Sequence, residues 1–199
     1  MPSRLAVLAS GRGSNLQAIM QHFDSLARER VAKVALVASN RADSPALLLA
    51  ETASIDIAHF DANDDGLELL DLLHRYRIDL VVLAGYVKRI PPRVIREYAG
   101  RIMNIHPALL PAFGGEGMYG ARVHEAVIAS GAEETGVTVH LVDEDYDRGP
   151  IVAQWRVRVD KSDTPESLAA RVLNVEHVVY PRAVEMVAIL QQLESKSPV

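Results

Sequence analysis

The chain has 199 residues, 49% hydrophobic and 24% charged, so it is long enough to bury the core of an α/β domain and too apolar to be disordered. Its net charge of −5 argues against a nucleic-acid-binding protein, which usually presents a basic face. The absence of cysteine excludes disulfides and thiol catalysis, and no apolar run approaches the roughly 18 residues of a membrane span. We therefore expect a cytoplasmic protein that binds neither nucleic acid nor membrane.

Short apolar runs alternate with helical patterns in the first half of the chain. Strands are predicted over residues 5–9, 34–38, 55–60, 80–84 and 102–105. Helices are predicted over residues 15 to about 29, from Pro45, and over residues 67–75 and 91–98. This alternation predicts an α/β fold with a doubly wound, mostly parallel, Rossmann-like sheet. The turns after the first, fourth and fifth strands would lie on the ligand-binding edge of that sheet.

The pattern changes after Pro111. A glycine-rich loop over residues 113–120 precedes a predicted helix over residues 122–130. Residues 137–142 and 151–159 alternate in polarity, which predicts an antiparallel extension of the sheet. Thr164 is the predicted N-cap of a long final helix, and the polar tail after about Leu193 is expected to be frayed.

A turn rich in glycine and serine, residues 10–15, joins the first strand to the first helix. Backbone N–H groups and the helix dipole at such a position favour an anion, for example a phosphate group. The dinucleotide fingerprint requires a glycine where Leu16 stands, and the lysine of a P-loop is missing, so NAD binding is disfavoured. A plain turn that caps a helix explains this segment equally well.

Asn104 and His106 lie two residues apart at the end of the fifth strand, so they point to the same face. Pro107 and Pro111 end the strand and stiffen the loop that follows it. A lone histidine here is more often a buried, hydrogen-bonded one. The neighbouring amide favours catalysis, because an oxyanion requires a hydrogen-bond donor beside the proton carrier.

An acidic loop, residues 143–150, joins the two antiparallel strands and could simply be solvated. The functional interpretation singles out Asp147, whose carboxylate near His106 would favour the imidazolium and raise the pKa of the histidine. His140, one strand back, either joins this cluster or fills a half-buried position. The remaining histidines, His124 among them, lack convincing zinc spacing, so we expect no catalytic metal.

Together, these segments resemble the folate-dependent phosphoribosylglycinamide (GAR) formyltransferases of purine biosynthesis. The matching segments are residues 10–15, 83–86, 103–111, 136–140 and 147–150. Asn-Ile-His-Pro-x-Leu-Leu-Pro with a later Asp-x-Gly-Pro is highly specific for formyl-folate transferases, and the Gly-Ser-Asn turn narrows the match to the GAR branch. The resemblance implies one-carbon transfer from 10-formyltetrahydrofolate, the co-substrate, to the GAR amine without a metal, by a monomer or homodimer.

The resemblance also implies roles for individual residues. The catalytic trio of the family is matched by Asn104, His106 and Asp147. Its phosphate loop is matched by Gly13, Ser14 and Asn15, and a carboxylate that contacts GAR is matched by Glu176. Its folate contacts are matched by Val87, Lys88, Arg89, Ile90, Asn104, Asp143, Asp145 and Asp147. The pair Lys88-Arg89, the loop over residues 114–120 and Arg148 depart from the commoner pattern.

The expected organisation is a single formyltransferase domain over residues 1–199. Its phosphate-binding half would span residues 1 to about 100, and its folate-binding, catalytic half about 101–190. One alternative is a formyltetrahydrofolate hydrolase or a formyltransferase with another acceptor, such as methionyl-tRNA, although those relatives carry an extra domain. A non-enzymatic nucleotide-binding module would leave Asn104, His106 and Asp147 unexplained.

Overall fold

The apolar runs of the sequence become the strands of one sheet. In the computed structural model, which describes residues 1–195, the strands are β1 (Ser3–Leu8), β2 (Ala32–Ser39), β3 (Ile57–His59), β4 (Leu80–Leu83), β5 (Ile102–His106), β6 (Glu134–Leu141) and β7 (Ile151–Arg158). The helices are α1 (Ser14–Ser25), α2 (Pro45–Thr52), α3 (Leu67–Arg75), α4 (Pro92–Glu97), α5 (Ala121–Ser130) and α6 (Pro165–Glu194). Every predicted strand and helix is present, with ends that differ by a few residues.

The strand order is β3-β2-β1-β4-β5-β6-β7. The first five strands are parallel, whereas β5–β6 and β6–β7 pair antiparallel, which confirms the predicted fold class and its antiparallel extension. β4, whose four residues are all buried, is the central strand of the seven. The strand order reverses between β1 and β4, so the loops after these strands border the crevice in which such sheets bind ligands.

The two faces of the sheet are covered by different helices. Leu5 and Val7 of β1 pack in one core with α1, α5 and α6, while Ala6 and Leu8 pack in a second core with α3 and α4. This division follows from the two-residue period of a strand, and the burial of β1 on both faces explains why its sequence is uniformly apolar.

One helix end differs from the sequence-based expectation. The first helix stops at Ser25, because the chain turns at Ala27 with φ 47° and continues as a 3₁₀ turn over Ala27–Glu29. The final helix begins at the predicted cap, where the Thr164 hydroxyl accepts a hydrogen bond from the Ser167 N–H. It continues to Glu194, and most of the tail predicted to be frayed lies outside the described residues. None of the helices within residues 1–195 is long and apolar enough to cross a bilayer.

Candidate active site

Asn104 and His106 lie on β5 two residues apart, so their side chains share one face of the sheet, as their spacing predicts. The antiparallel strand β6 then places His140 directly opposite Asn104. Asn104 Nδ2 donates a hydrogen bond to His140 Nε2 at 3.1 Å, and His140 Nδ1 donates to the Leu141 carbonyl at 2.9 Å. The structure therefore places His140 inside the polar cluster, where it orients the amide.

Asp147 reaches the same cluster from the loop between β6 and β7. Its Oδ2 lies 3.5 Å from His106 Nδ1, and its Oδ1 lies 3.5 Å from His140 Nε2. The Gly115 N–H, from the glycine-rich loop, donates a hydrogen bond to Oδ2 at 2.9 Å. Asp147 itself has φ 55°, a left-handed conformation that costs energy for a non-glycine residue and often occurs at functional sites.

The hydrogen bonds of His106 define its neutral form. Its Nε2 lies 2.8 Å from the Phe113 carbonyl, and a carbonyl oxygen only accepts, so Nε2 carries the hydrogen. In the neutral ring, Nδ1 is then the unprotonated nitrogen, and it faces Asp147. His106 is thus arranged to take up a proton at Nδ1 and to be stabilised by Asp147 once it becomes cationic.

Burial decides the net shift of the His106 pKa. The ring is 3% exposed, and this desolvation lowers its pKa below the ordinary value of 6.5, although the charge of Asp147 raises it in part. The expectation that the Asp147 carboxylate raises the pKa of His106 is confirmed in direction, but burial outweighs this effect and leaves the net pKa lowered. Burial by itself raises the pKa of Asp147, but the neighbouring His140 and His106 and the hydrogen bond from the Gly115 N–H together outweigh burial and leave the pKa lowered.

The acidic loop approaches the sheet closely at Gly149. A Cβ atom built on Gly149 would lie 1.9 Å from the carbonyl oxygen of Leu141, so only glycine fits there. A built Cβ on Gly114, in the glycine-rich loop, would lie 3.2 Å from the Cβ of Asp147. Two glycines therefore permit the close packing that brings Asp147 to the histidines.

We expect Gly149→Ala to lower the free energy of unfolding by about 2 kcal/mol, because forcing a methyl group against fixed backbone overpacks the site. Urea unfolding followed by circular dichroism measures this change. Gly11→Ala is the matched control, since no atom lies within 4 Å of a Cβ built there. Equal effects of the two substitutions would contradict the close approach.

A cleft of about 860 Å³ joins the polar cluster to both predicted substrate segments. Gly11, Arg12 and Asn15, from the predicted phosphate turn, line one part of it. Gly13 adopts φ 81° at the N-cap of α1 and packs against α2, so neither Gly13 nor Ser14 lines the cleft. The turn nevertheless presents the N-terminus of α1 beside the cleft, as an anion site requires.

The predicted folate segments line another part of the same cleft. They include Val87, Lys88, Arg89 and Ile90 on one wall, and residues 143–147 on the other. Arg89 donates a hydrogen bond to the Glu144 carbonyl, and its guanidinium lies 5.5 Å from the centre of the Tyr146 ring. Arg89, in the pair Lys88-Arg89 that departs from the commoner family pattern, therefore connects the two walls of the cleft.

Glu176 enters the cleft from α6. It is 8% exposed, and Asn15 Nδ2 donates a hydrogen bond to its Oε2 at 2.6 Å. Burial raises the pKa of Glu176, while the hydrogen bond from Asn15 lowers it in part. The structure thus brings the carboxylate assigned to GAR together with the end of the phosphate turn.

One buried histidine on the cleft wall had no predicted role. His124, in the first turns of α5, is 5% exposed and lines the cleft, and its Nδ1 has no hydrogen-bond partner within residues 1–195. Burial, and secondarily the proximity of His106, lower its pKa. The sequence feature that could have pointed to His124 is the glycine-rich loop just before it. That loop also lines the cleft, through Met118 and Tyr119. Over the described residues, no group of three or more metal-ligating side chains is arranged to hold a metal ion.

Comparisons with known proteins agree with this geometry. A model of the formyl transferase family matches residues 3–184. The phosphoribosylglycinamide formyltransferase of Haemophilus influenzae is 38% identical over 92% of this chain and 85% of that protein. The chloroplastic enzyme of the same name from Arabidopsis thaliana is 45% identical over 91% of this chain. The chain spans 64% of the length of that plant protein.

Solved structures show the same fold. The phosphoribosylglycinamide formyltransferase of Anaplasma phagocytophilum aligns with a TM-score of 0.86 at 36% identity, over 93% of this chain and 86% of that chain. A formyltetrahydrofolate deformylase from Pseudomonas syringae aligns with a TM-score of 0.82 at 29% identity, over 100% of this chain and 64% of that chain.

Proposed function

The chain belongs to the formyl transferase family, and we propose that it transfers the formyl group of 10-formyltetrahydrofolate to the amine of GAR in purine biosynthesis. The observation that carries the proposal is that one cleft is lined both by the Asn104–His106–Asp147 cluster and by Gly11, Arg12 and Asn15 of the turn that opens α1. The cluster supplies proton transfer and oxyanion stabilisation, and the turn supplies an anion site for the GAR phosphate.

The reaction begins when the GAR amine attacks the formyl carbon and forms a C–N bond. Negative charge develops on the formyl oxygen, and Asn104, whose amide is oriented by His140, donates a hydrogen bond to it. His106 Nδ1 accepts the proton of the attacking amine, and Asp147 stabilises the resulting imidazolium. The proton then passes to the folate nitrogen as its C–N bond to the formyl carbon breaks.

Each substrate has its own part of the cleft in this proposal. The N-terminus of α1, with the turn that includes Gly13, Ser14 and Asn15, binds the GAR phosphate, and Glu176 contacts the rest of GAR. The pterin lies along residues 87–90 and is covered by the acidic loop with Asp143 and Asp145. This division corresponds to the proposed halves of the single domain, residues 1 to about 100 and about 101–190, although Glu176 comes from the second half.

The assay that tests the proposal uses the purified protein, GAR and 10-formyltetrahydrofolate. We expect tetrahydrofolate and formyl-GAR to form in equal amounts, and no folate product without GAR. Product formation without GAR would instead identify the hydrolase, an alternative to which the similar deformylase structure draws attention. A formyltransferase with a different acceptor would require that acceptor in place of GAR.

The proposal includes the cellular location and the oligomeric state of the enzyme. We propose a cytoplasmic enzyme that acts on small molecules as a monomer or homodimer. Light scattering of the purified protein measures its mass in solution, and microscopy of a tagged chain in the source cell tests its location.

A further inference from the structure

The last turns of α6 present an apolar face to solvent. One side of this helix is buried against α1, α5 and the strands β5, β6 and β7. On the opposite side, Met186, Ile189 and Leu190 are 44%, 38% and 50% exposed in the part of the chain that the structure describes. Large apolar side chains that are gathered on one exposed surface, rather than scattered singly, mark an interaction site.

Four exposed side chains form one ridge along this part of α6. Residues four apart are neighbours on a helix surface, so Arg182, Met186, Leu190 and Glu194 lie in a single row. The ridge has a basic end, an apolar middle and an acidic end, and its two charged residues are about 18 Å apart along the helix. The Arg182 guanidinium donates a hydrogen bond to the Val178 carbonyl of its own helix and forms no ion pair within residues 1–195.

We propose that this ridge is the interface of a homodimer, in which α6 packs antiparallel against α6 of a second copy of the chain. A two-fold axis level with Ala188 places Arg182 beside the partner's Glu194, and Glu194 beside the partner's Arg182. Between these two ion pairs, Met186 packs against the partner's Leu190. Ridges of residues four apart lie side by side in the commonest class of helix packing, so the arrangement needs no unusual geometry.

The ridge favours a second copy as its occupant because it is complementary to itself. A closed two-fold interface uses the same surface of both subunits, so each charge must meet its opposite when that surface is reversed. The antiparallel arrangement meets this condition, whereas a parallel one would place Arg182 beside the partner's Arg182. None of the four ridge residues lines the cleft, so the inference does not depend on the proposed reaction.

Analytical ultracentrifugation of the purified protein over a range of concentrations tests the dimer. A contact between two helices belongs to the small class of interfaces, below roughly 1,200 Å², so we expect a Kd on the order of 10 μM. Arg182→Glu and Glu194→Arg each place like charges together at both ends of the ridge, and each should raise Kd at least about tenfold. The double variant Arg182→Glu/Glu194→Arg exchanges the charges and should restore the Kd of the wild type.

A mixture of the two single variants tests the antiparallel arrangement directly. The ridge is acidic at both ends in Arg182→Glu and basic at both ends in Glu194→Arg. The two variants should therefore form a heterodimer at about 50 μM, a concentration at which each alone is mostly monomeric. Arg75→Glu, a charge reversal on the exposed surface of α3 at the other face of the sheet, is the matched control and should leave Kd unchanged.

Circular dichroism of each variant checks that these exposed substitutions leave the fold intact. A wild-type protein that is monomeric at about 500 μM, well above the expected Kd, would overturn the homodimer and leave the apolar face to a different partner. A wild-type dimer that persists in both single variants would place the interface elsewhere, and single variants that do not associate on mixing would overturn the antiparallel arrangement. These measurements do not involve formyl transfer, so failure of the proposed function would be seen separately, in the GAR assay.

Discussion

His106→Ala is expected to lower kcat for formyl transfer about 10³-fold, because a positioned acid–base group contributes about 10²–10⁴-fold. The ring is buried, its Nε2 is hydrogen-bonded to the Phe113 carbonyl and its Nδ1 faces Asp147, so the substitution removes a base that is held in a fixed orientation. Binding of GAR should remain within about threefold of the wild type, because the phosphate site is provided by the backbone of α1. Steady-state kinetics and calorimetric titration with GAR measure the two quantities.

The matched control for this substitution is His74→Ala. His74 lies on the surface of α3 and pairs with Glu97, away from the cleft, so its loss should leave kcat unchanged. Thermal unfolding of both variants separates a catalytic defect from a folding defect. If His106→Ala retained more than a tenth of the wild-type kcat, the assignment of His106 as the proton carrier would be wrong.

Asp147→Asn is expected to lower kcat about 10²-fold and to lower the pKa of His106 further. The amide retains the shape of the carboxylate and can still accept the Gly115 N–H, so the loop should keep its position. It lacks the negative charge that partly offsets the burial of His106. The imidazolium formed during proton transfer then loses its stabilisation, and a loss of about 2.7 kcal/mol in the transition state corresponds to about 10²-fold.

The sign of the pH effect follows from the same contacts. Burial already places the pKa of His106 below 6.5, so the wild-type base is neutral at neutral pH and becomes protonated only in acid. Without Asp147, protonation requires still lower pH, and the acidic limb of the kcat/KM profile should move to lower pH. An NMR titration of the His106 Cε1–H measures the shift, with Asp71→Asn on the surface of α3 as control. An unmoved His106 titration would remove Asp147 from this role.

The fold was largely predictable because its determinants are local. Runs such as residues 80–83 are apolar because both faces of a parallel strand are buried. The start of α6 is recognisable because the Thr164 side chain caps the helix with its own hydrogen bond. The end of α1 was not predictable, since the helical pattern continues past Ser25 while the backbone turns at Ala27.

The candidate site, like the fold, was predictable where its determinants are local in the sequence. The sequence alone determined that Asn104 and His106 share a face, because the strand repeat is two residues, and that a turn rich in glycine and serine opens the first helix. The tertiary structure decided which distant side chains share the cleft with Asn104 and His106. Asn15 and Glu176, which are hydrogen-bonded there, are 161 residues apart in the sequence, and His124 lines the cleft only because α5 packs beside it. It also decided the net pKa shift of His106. That balance depends on how completely packing excludes water, a property of the assembled fold that no local pattern contains.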